Sequence, residues 1–124
     1  MVGLSTLVPG ADGVRPVDAA SFPAEYRPFS SAHAAGLGIL PAQSEAKAVA
    51  DARVLDWVWL VPAGDFDHEG GRTGRYTIRP HSDPSARISY ADFAIALLDE
   101  IDAPAGPSFH RHVQVAVARD PVVA

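Results

Sequence analysis

The sequence predicts an α/β fold, with a parallel sheet that is covered by helices on both faces. Residues 55–61, Leu-Asp-Trp-Val-Trp-Leu-Val, are apolar at every position except Asp56. A strand that is apolar on both alternating faces is typical of a parallel sheet between two helix layers. Residues 87–98 have the pattern of a capped amphipathic helix. The order strand, Ala-rich helix, buried strand, long loop, capped helix and strand is that of an α/β protein.

The composition excludes several classes of protein. The chain has 124 residues, 48% of them apolar, and a formal net charge of −5, which fits one domain with a modest core. It has no cysteine, which excludes disulfides, thiol catalysis and Cys-ligated metals. There is no Lys/Arg-rich run and no apolar run of membrane length, so we expect neither a nucleic-acid nor a membrane partner. The first residues lack the basic region of a signal peptide, so we expect a cytoplasmic protein.

The first half of the chain predicts one strand and one helix. Residues 1–8 are apolar enough for a short strand or the last part of one, and a Pro/Gly turn cluster follows. Residues 14–28 are interrupted by prolines and predict a loop. Residues 29–53 are Ala-rich and predict helix, but two glycines and Pro41 interrupt them. The better helix therefore runs over residues 42–53.

The second half predicts three strands besides the capped helix. The strand over residues 55–61 is expected to be central in the sheet, with its two tryptophans on one face. A loop rich in Gly, Pro, Asp and His follows over residues 65–85, and within it only residues 75–79 alternate as a short edge strand does. Residues 112–118 alternate with valines on one face and predict the last strand.

The capped helix is the best marked element of the sequence. Ser89 is its expected N-cap and Asp92 stands at the third helical position, so we expect the reciprocal hydrogen bonds of a capping box. Apolar residues at helical spacing define its expected buried stripe, namely Tyr90, Phe93, Ala94, Leu97 and Ile101.

Four short motifs occur in order along the chain. They are Val-Gly-Leu-Ser-Thr-Leu at 2–7, Phe-Pro-Ala-Glu-Tyr-Arg at 22–27, Leu-Asp-Trp at 55–57 with Arg-Thr-Gly-Arg-Tyr at 72–76, and Arg-Ile-Ser-Tyr-Ala-Asp-Phe-Ala at 87–94. Together they resemble the C-terminal half of the atypical short-chain dehydrogenases, the NAD(P)-binding proteins allied to the NAD-dependent epimerases and dehydratases. The resemblance implies a partial domain over residues 1–118, followed by a tail at 119–124.

The resemblance implies the C-terminal portion of a Rossmann-like doubly wound parallel sheet, whose N-terminal dinucleotide-binding half is absent. No Gly-x-Gly-x-x-Gly motif occurs, so the backbone amides that hold a pyrophosphate are missing. The Tyr-x-x-x-Lys motif is missing too, because Ser30 follows Tyr26 at the fourth position and Lys47 is the only lysine. We interpret the chain as a truncated gene product, a late start or a split domain. The implied cofactor is NAD or NADP, which we expect this chain not to bind tightly alone.

The candidate cofactor-binding residues stand at two strand ends, and no catalytic residue is assigned. Pro62, Ala63 and Gly64 follow the predicted central strand, at the edge where open α/β sheets bind ligands. The resemblance puts this turn near the nicotinamide, although ending a strand is an equally good reason for these residues. Ser5, with Thr6, stands where the family often has a hydroxyl. It could donate to a substrate carbonyl or satisfy its own backbone.

Two polar clusters are interpreted as solvated surface, and a third, at residues 110–112, as the polar start of a strand. The acids and the histidine of residues 65–69 lack the spacing of a calcium loop, so no metal is expected. His110 and His112 would need further ligands to hold zinc. Three arginines of the long loop could meet a phosphate, but solvation is the preferred interpretation for all of them: Arg72, Arg75 and Arg79.

Two functions from different classes remain open. The first is the C-terminal, substrate-side part of an NAD(P)-binding oxidoreductase- or epimerase-like protein, not catalytically competent alone. The alternative is a non-catalytic packing or dimerisation module that complements a partner chain. Half a sheet leaves an apolar edge exposed at residues 55–61 or at the first strand, so we expect self-association or a partner chain that supplies the missing half-domain.

Overall fold

Two helices and five strands make up the part of the chain that the structure describes. This computed structural model describes residues 3–51, 57–103 and 110–121, with the backbone alone for 41–51. Three short 3₁₀ turns come first, at Ser5–Leu7, Pro16–Asp18 and Ala24–Tyr26. The later elements are α1 (Arg27–Asp51), β1 (Val58–Pro62), β2 (Asp65–Asp67), β3 (Tyr76–Arg79), β4 (Arg87–Ser89), α2 (Tyr90–Asp102) and β5 (Val113–Arg119).

The main sheet has three strands in the order β1-β5-β3 among the described residues. β1 and β5 are parallel, in a register from Val58↔Val113 to Pro62↔Val117. β3 pairs antiparallel with the other edge of β5, and β2 and β4 form a separate parallel pair. The mixed α/β fold with parallel strands is therefore confirmed, as is the short edge strand predicted over 75–79.

β1 is not the central strand of this sheet, which corrects the prediction for residues 55–61. The chain returns from α2 between β1 and β3, so β5 takes the centre. On the other side of β1 the amide of Gly3 donates to the carbonyl of Leu60 at 2.9 Å. β1 therefore lies at an edge of the sheet, although the side chains of Leu60 and Val61 are buried on its two faces, and the self-association expected from an open edge stays a prediction. Residues 55 and 56 lie outside the described residues.

Residues 3–8 form a turn in place of the strand predicted over residues 1–8, of which the first two lie outside the description. After Gly3 the chain enters the 3₁₀ turn, and the amide of Val8 donates to the carbonyl of Ser5 at 3.0 Å. Gly3 lies so close to Trp59 that a Cβ there would be 1.4 Å from the indole Nε1. The contact with β1 therefore lasts for one residue before Leu7 turns into the core, where it is 1% exposed.

α1 is continuous, contrary to the interruption predicted at Gly36, Gly38 and Pro41. The cause is packing on the sheet, because Leu40 is buried in one cluster with Trp59. Packing of one helix face contributes more to helix stability than intrinsic propensity does, so two glycines are tolerated. The helix predicted over 42–53 is the last part of α1, and its final two residues lie outside the description.

Hydrophobic clusters cover both faces of the β1–β5 pair, as the sequence of β1 predicted. The cluster on the α1 side consists of Val8, Leu40, Trp59, Val61, Ala63, Ala86, Ala116 and Ala118. The cluster on the α2 side consists of Leu60, Ile88, Phe93, Ala96, Val115 and Val117. Alternate residues of the two strands thus pack against opposite helices, which is the arrangement of a parallel strand covered on both sides.

Ser89 caps α2 as predicted, accepting a hydrogen bond from the amide of Asp92 at 3.1 Å. The rest of the capping box is wrong, because the Asp92 carboxylate accepts hydrogen bonds from a distant loop in place of the backbone amide of Ser89. The predicted buried stripe is wrong in part for the same reason, since the helix is turned to bury Asp92 together with Phe93 and Ala96. The exposed members of that stripe are Tyr90, Ala94 and Ile101.

Candidate functional site

The carboxyl end of β1 is built from Pro62, Ala63 and Gly64, three of the predicted cofactor-binding residues. Pro62 ends the strand, and the amide of Ala63 donates to the carbonyl of Val117 at 2.7 Å, which extends the pairing with β5. The carbonyl of Ala63 in turn accepts from the amide of Asp83 at 2.8 Å. This turn is therefore held by backbone bonds on both sides, at the edge of the sheet where parallel strands bind ligands.

Gly64 stands where two pieces of backbone come close together. A Cβ on this residue would be 2.4 Å from the carbonyl oxygens of both Asp83 and Ala86. These are backbone atoms that cannot move away as a flexible side chain would, so only glycine fits without a shift of the 83–86 segment. This packing alone is a sufficient reason for a glycine at position 64. The contact of Gly64 with a cofactor stays a prediction.

Ser5, the fourth predicted residue, lies in the 3₁₀ turn that begins beside β1. The neighbouring Thr6 hydroxyl is 3.3 Å from the hydroxyl of Ser30, which is 2% exposed on α1. Ser5 itself is half-buried. The turn continues to Pro9, whose carbonyl accepts from the amide of Ser82 at 3.0 Å. The segment after this turn is therefore connected to the end of β1 through the backbone bonds of Ser82 and Asp83.

A cavity of about 850 Å³ opens beside this edge. One wall is formed by residues between Gly10 and Pro16 with Ala19, and the other by the segment Arg79–Pro84. The bonds of Ser82 to Pro9 and of Asp83 to Ala63 fix the walls relative to the end of β1. None of the four predicted residues is among those that line the cavity. The sequence analysis did not find it, because its walls lie far apart in the chain.

Two arginines in the cavity walls are paired with neighbouring acids. Arg79 contacts Asp83 at 3.1 Å, and hydrogen bonds from Ser85, together with this pair, hold the pKa of Asp83 below its usual value. Arg15 contacts Asp18 at 2.7 Å, which lowers the pKa of that carboxyl. The remaining wall is mostly apolar and includes Val14, which is 47% exposed. The cavity can therefore hold an apolar group next to paired arginines.

Asp92 ties the long loop to the first turn of α2. Its carboxylate accepts from the amide of Thr73 at 2.9 Å, from the Thr73 hydroxyl at 2.7 Å and from the amide of Gly74 at 3.0 Å. Burial alone would raise the pKa of this carboxyl, but the hydrogen bonds from Thr73, Gly74 and Ser89 outweigh it and hold the pKa below its usual value. The Arg-Thr-Gly motif and the Asp of the helix motif are thus brought together, which the sequence analysis did not predict.

The polar clusters that were interpreted as surface have protein partners. Asp67 pairs with Arg119, His68 lies 2.8 Å from the Tyr90 hydroxyl, and His110 lies 2.9 Å from a carboxylate oxygen of Glu100. Two of the three arginines pair with acids, Arg75 with Asp120 and Arg79 with Asp83. Within residues 3–51, 57–103 and 110–121, no group of three His or acidic side chains is placed to hold a metal ion.

Comparison with known proteins gives relatives of about twice the length. No protein-family model matches the chain. It is 34% identical over 105 residues to the uncharacterized protein YwnB of Bacillus subtilis, a match that covers 81% of the chain and 45% of YwnB. The chain therefore spans about half the length of the curated relative that it matches.

Solved structures match the chain more completely. A "putative NADH-flavin reductase" from Streptococcus pneumoniae has a TM-score of 0.69 and 27% identity, over 96% of this chain and 54% of its own. A "putative epimerase" from Bacteroides thetaiotaomicron has a TM-score of 0.70 and 28% identity, over 96% and 51%. A "putative exported protein" from Burkholderia pseudomallei has a TM-score of 0.67 and 27% identity, over 94% and 52%.

These likenesses agree with the fold that the sequence predicted. Among the described residues, no helix is long and apolar enough to cross a membrane. The parallel β1–β5 pair lies between α1 and α2. About half of each of two solved structures superposes on this chain. The chain has a partial Rossmann-like α/β fold and is similar to proteins of the NAD(P)-binding class in general.

Proposed function

We propose that the chain is the C-terminal, substrate-side part of an NAD(P)-binding oxidoreductase- or epimerase-like protein of the atypical short-chain dehydrogenase type. The observation that carries this proposal is the cavity whose wall residue Asp83 is bonded to Ala63 at the carboxyl end of β1, since open α/β sheets bind their ligands beside the carboxyl ends of their strands. The names of two structural neighbours, an NADH-flavin reductase and an epimerase, support the same class of cofactor.

In this proposal the predicted residues and the cavity have different roles. Ser5 and the turn Pro62–Gly64 border the cofactor's nicotinamide end, and the cavity between residues 10–19 and 79–84 receives the substrate. The domain comprises residues 1–118. We also propose that the protein is cytoplasmic.

The chain alone should bind dinucleotides weakly or not at all. It has no Gly-x-Gly-x-x-Gly loop, and that loop provides the helix N-terminus whose amides hold the pyrophosphate. Isothermal titration of the isolated chain with NADH and with NADPH is the direct test. A micromolar dissociation constant for either would contradict the proposal that this chain lacks the nucleotide-binding half.

A second experiment tests the positive part of the proposal. The chain is fused to the part of YwnB that lies outside the match, and titration is repeated. We expect dinucleotide binding to appear. Ser5→Ala should then weaken it about threefold to tenfold, the value of one hydrogen bond. Ser31→Ala, at an exposed position of α1, is the matched control. A folded fusion that binds neither dinucleotide would favour the packing module instead.

A further inference from the structure

The two walls of the large cavity are held in place before any ligand binds. In one wall the amide of Gly10 donates to the carbonyl of Val14 at 3.0 Å, and the amide of Val14 donates to the carboxylate of Asp12 at 3.0 Å. The other wall is attached through the backbone bonds of Ser82 and Asp83. A site that is already formed loses little conformational freedom on binding.

Most of the cavity lining is apolar. Proline and alanine, which lose almost no side-chain freedom when a ligand covers them, contribute most of it. The apolar lining residues are Ala11, Val14, Pro16, Ala19, Pro80 and Pro84. Apolar walls with a few polar groups are typical of sites for small molecules.

The guanidinium of Arg15 is already occupied by a carboxylate. Its Nε donates to one oxygen of Asp18 at 2.7 Å, and its Nη2 donates to the other oxygen at 3.1 Å. This two-bond geometry is the one in which arginine binds a phosphate group. A phosphate at Arg15 would therefore have to compete with Asp18.

The second arginine of the lining is neutralised as well. Arg79 contacts Asp83 at 3.1 Å, and the other carboxylate oxygen of Asp83 accepts from the amide and the hydroxyl of Ser85. The carboxylate is thereby fixed beside the guanidinium. The lining also includes the carboxylate of Asp12, so the charge that remains in the walls after both pairs are counted is negative.

Hydrogen-bond donors nevertheless remain for a neutral oxygen atom. A guanidinium has five N–H donors, and the contact with Asp83 uses one of those of Arg79. The hydroxyl of Ser82 lies between the two walls, because a Cβ on Gly10 would be 3.8 Å from it. A carbonyl or hydroxyl oxygen can accept from such donors without bringing a charge into the cavity.

We infer that this cavity takes a neutral, mainly apolar compound with a hydrogen-bonding oxygen, and that it discriminates against phosphorylated compounds. A phosphate would give up part of its hydration without gaining a free cation, whereas a neutral ligand has no such cost. The inference rests on the proposed function, since it names a substrate class for the cavity that the proposal assigns to the substrate.

The test compares three compounds of similar size, a naphthyl methyl ketone, a naphthyl phosphate and a naphthylmethylamine. Amide chemical shifts of the isotope-labelled full chain report the affinity and the place of binding. Titration at about pH 8 keeps histidine of ordinary pKa, about 6.5, neutral. We expect the ketone to shift the amides of Val14, Ser82 and Asp83, and the phosphate to bind about tenfold weaker or more.

Removing a neutralising carboxylate should open the cavity to anions. Asp83→Asn and Asp18→Asn each free one arginine, and the asparagine oxygen can still accept hydrogen bonds. Each variant should bind the naphthyl phosphate about threefold to tenfold tighter, the effect of one charge near a protein surface, and the ketone within about twofold of the wild-type affinity. Asp102→Asn is the matched control, because it removes the same charge at an exposed position outside the cavity.

Several results would overturn the inference. They are a phosphate or an amine that binds as tightly as the ketone, a ketone that shifts no cavity amide in the folded chain, and phosphate affinity unchanged in both folded aspartate variants. None of these titrations contains a dinucleotide. Their failure is therefore distinguishable from failure of the proposed function, which the fusion with YwnB decides.

Discussion

Asp92 connects the long loop to the first turn of α2 through the hydrogen bonds of its carboxylate. It is 2% exposed and accepts three hydrogen bonds from Thr73 and Gly74. These bonds form best with the ionised carboxylate, so they lower its pKa in the folded state. A folded pKa below the unfolded value contributes stability at neutral pH, and that contribution is lost as the pH falls through the folded pKa.

Replacing this carboxylate tests the tie between loop and helix. Asp92→Asn should lower the free energy of unfolding at neutral pH by about 2 kcal/mol, since hydrogen bonds to charged groups contribute about that much. It should also flatten the loss of stability below about pH 4, where the wild-type carboxyl takes up a proton. Urea unfolding over a range of pH measures both effects. Asp102→Asn, at an exposed position, is the control, and an equal effect of the two would contradict the assignment.

The close approach at Gly64 gives a second residue-scale prediction. Gly64→Ala should destabilise the protein by about 1–3 kcal/mol, because the new methyl meets the carbonyl oxygens of Asp83 and Ala86. Gly38→Ala, in an open position of α1, should have the opposite sign and stabilise by about 0.5–1 kcal/mol. Chemical denaturation compares the two. If both substitutions stabilise, the turn after β1 is more open than the structure has it.

α2 is the element on which sequence and structure can be compared most directly. Ser89→Ala removes the cap and should cost about 1 kcal/mol. Phe93→Ala, in the α2-side cluster, should cost about 3 kcal/mol or more. Leu98→Ala, on the exposed face of the same helix, should change stability by less than about 0.5 kcal/mol. Urea melts give all three values. If Phe93→Ala costs no more than Ser89→Ala, α2 is not docked on the sheet.

The elements with strong local patterns could be predicted from the sequence, and the others could not. β1 and β5 are recognisable because their apolar runs are long enough to show burial on both faces. β2 and β4 have three residues each, too few to show any period. The continuity of α1 depends on contacts with Trp59, which a helix propensity cannot include. Which face of α2 is buried depends on the hydrogen bonds of Asp92 to a loop 18 and 19 residues earlier in the chain.

The candidate site, too, could be predicted only in part. The carboxyl end of β1 could be predicted, because a parallel strand with Pro-Ala-Gly after it has a known ligand-binding edge. The cavity could not be predicted, because its walls come from two segments, residues 10–19 and 79–84, that are far apart in the chain and meet through the bonds of Ser82 and Asp83. The turn residues Pro62–Gly64 were therefore enough to predict the ligand-binding edge of the sheet. The position of the cavity beside that edge depends on long-range backbone bonds, which the sequence does not show.

At the scale of the whole molecule, we expect the two hydrophobic clusters to unfold as one cooperative unit. They lie on opposite sides of the same pair of strands, so Val61 and Ala116 belong to one cluster and their neighbours Leu60 and Val117 to the other. Displacing either strand would disturb both clusters at once. Domains of this size usually unfold in a single transition for the same reason.

This coupling is testable because both tryptophans belong to the α1 side. Val117→Ala removes volume from the α2-side cluster and should destabilise by about 2 kcal/mol. Tryptophan fluorescence should nevertheless report the same lowered urea midpoint as far-UV circular dichroism, although the substitution is on the other face. A fluorescence midpoint that stays at the wild-type value would show that the two faces unfold separately.

The tie at Asp92 also sets how freely the sequence around it can change. Two of its three partners are main-chain amides, those of Thr73 and Gly74, which almost any residue at position 73 would still provide. Position 92 has no such latitude, because the carboxylate itself makes every bond. A library that randomises position 73 alone should therefore return many folded members, and one that randomises position 92 should return few. Position 74 should be less tolerant than position 73, because Gly74 has a φ of 76°, which other residues rarely adopt.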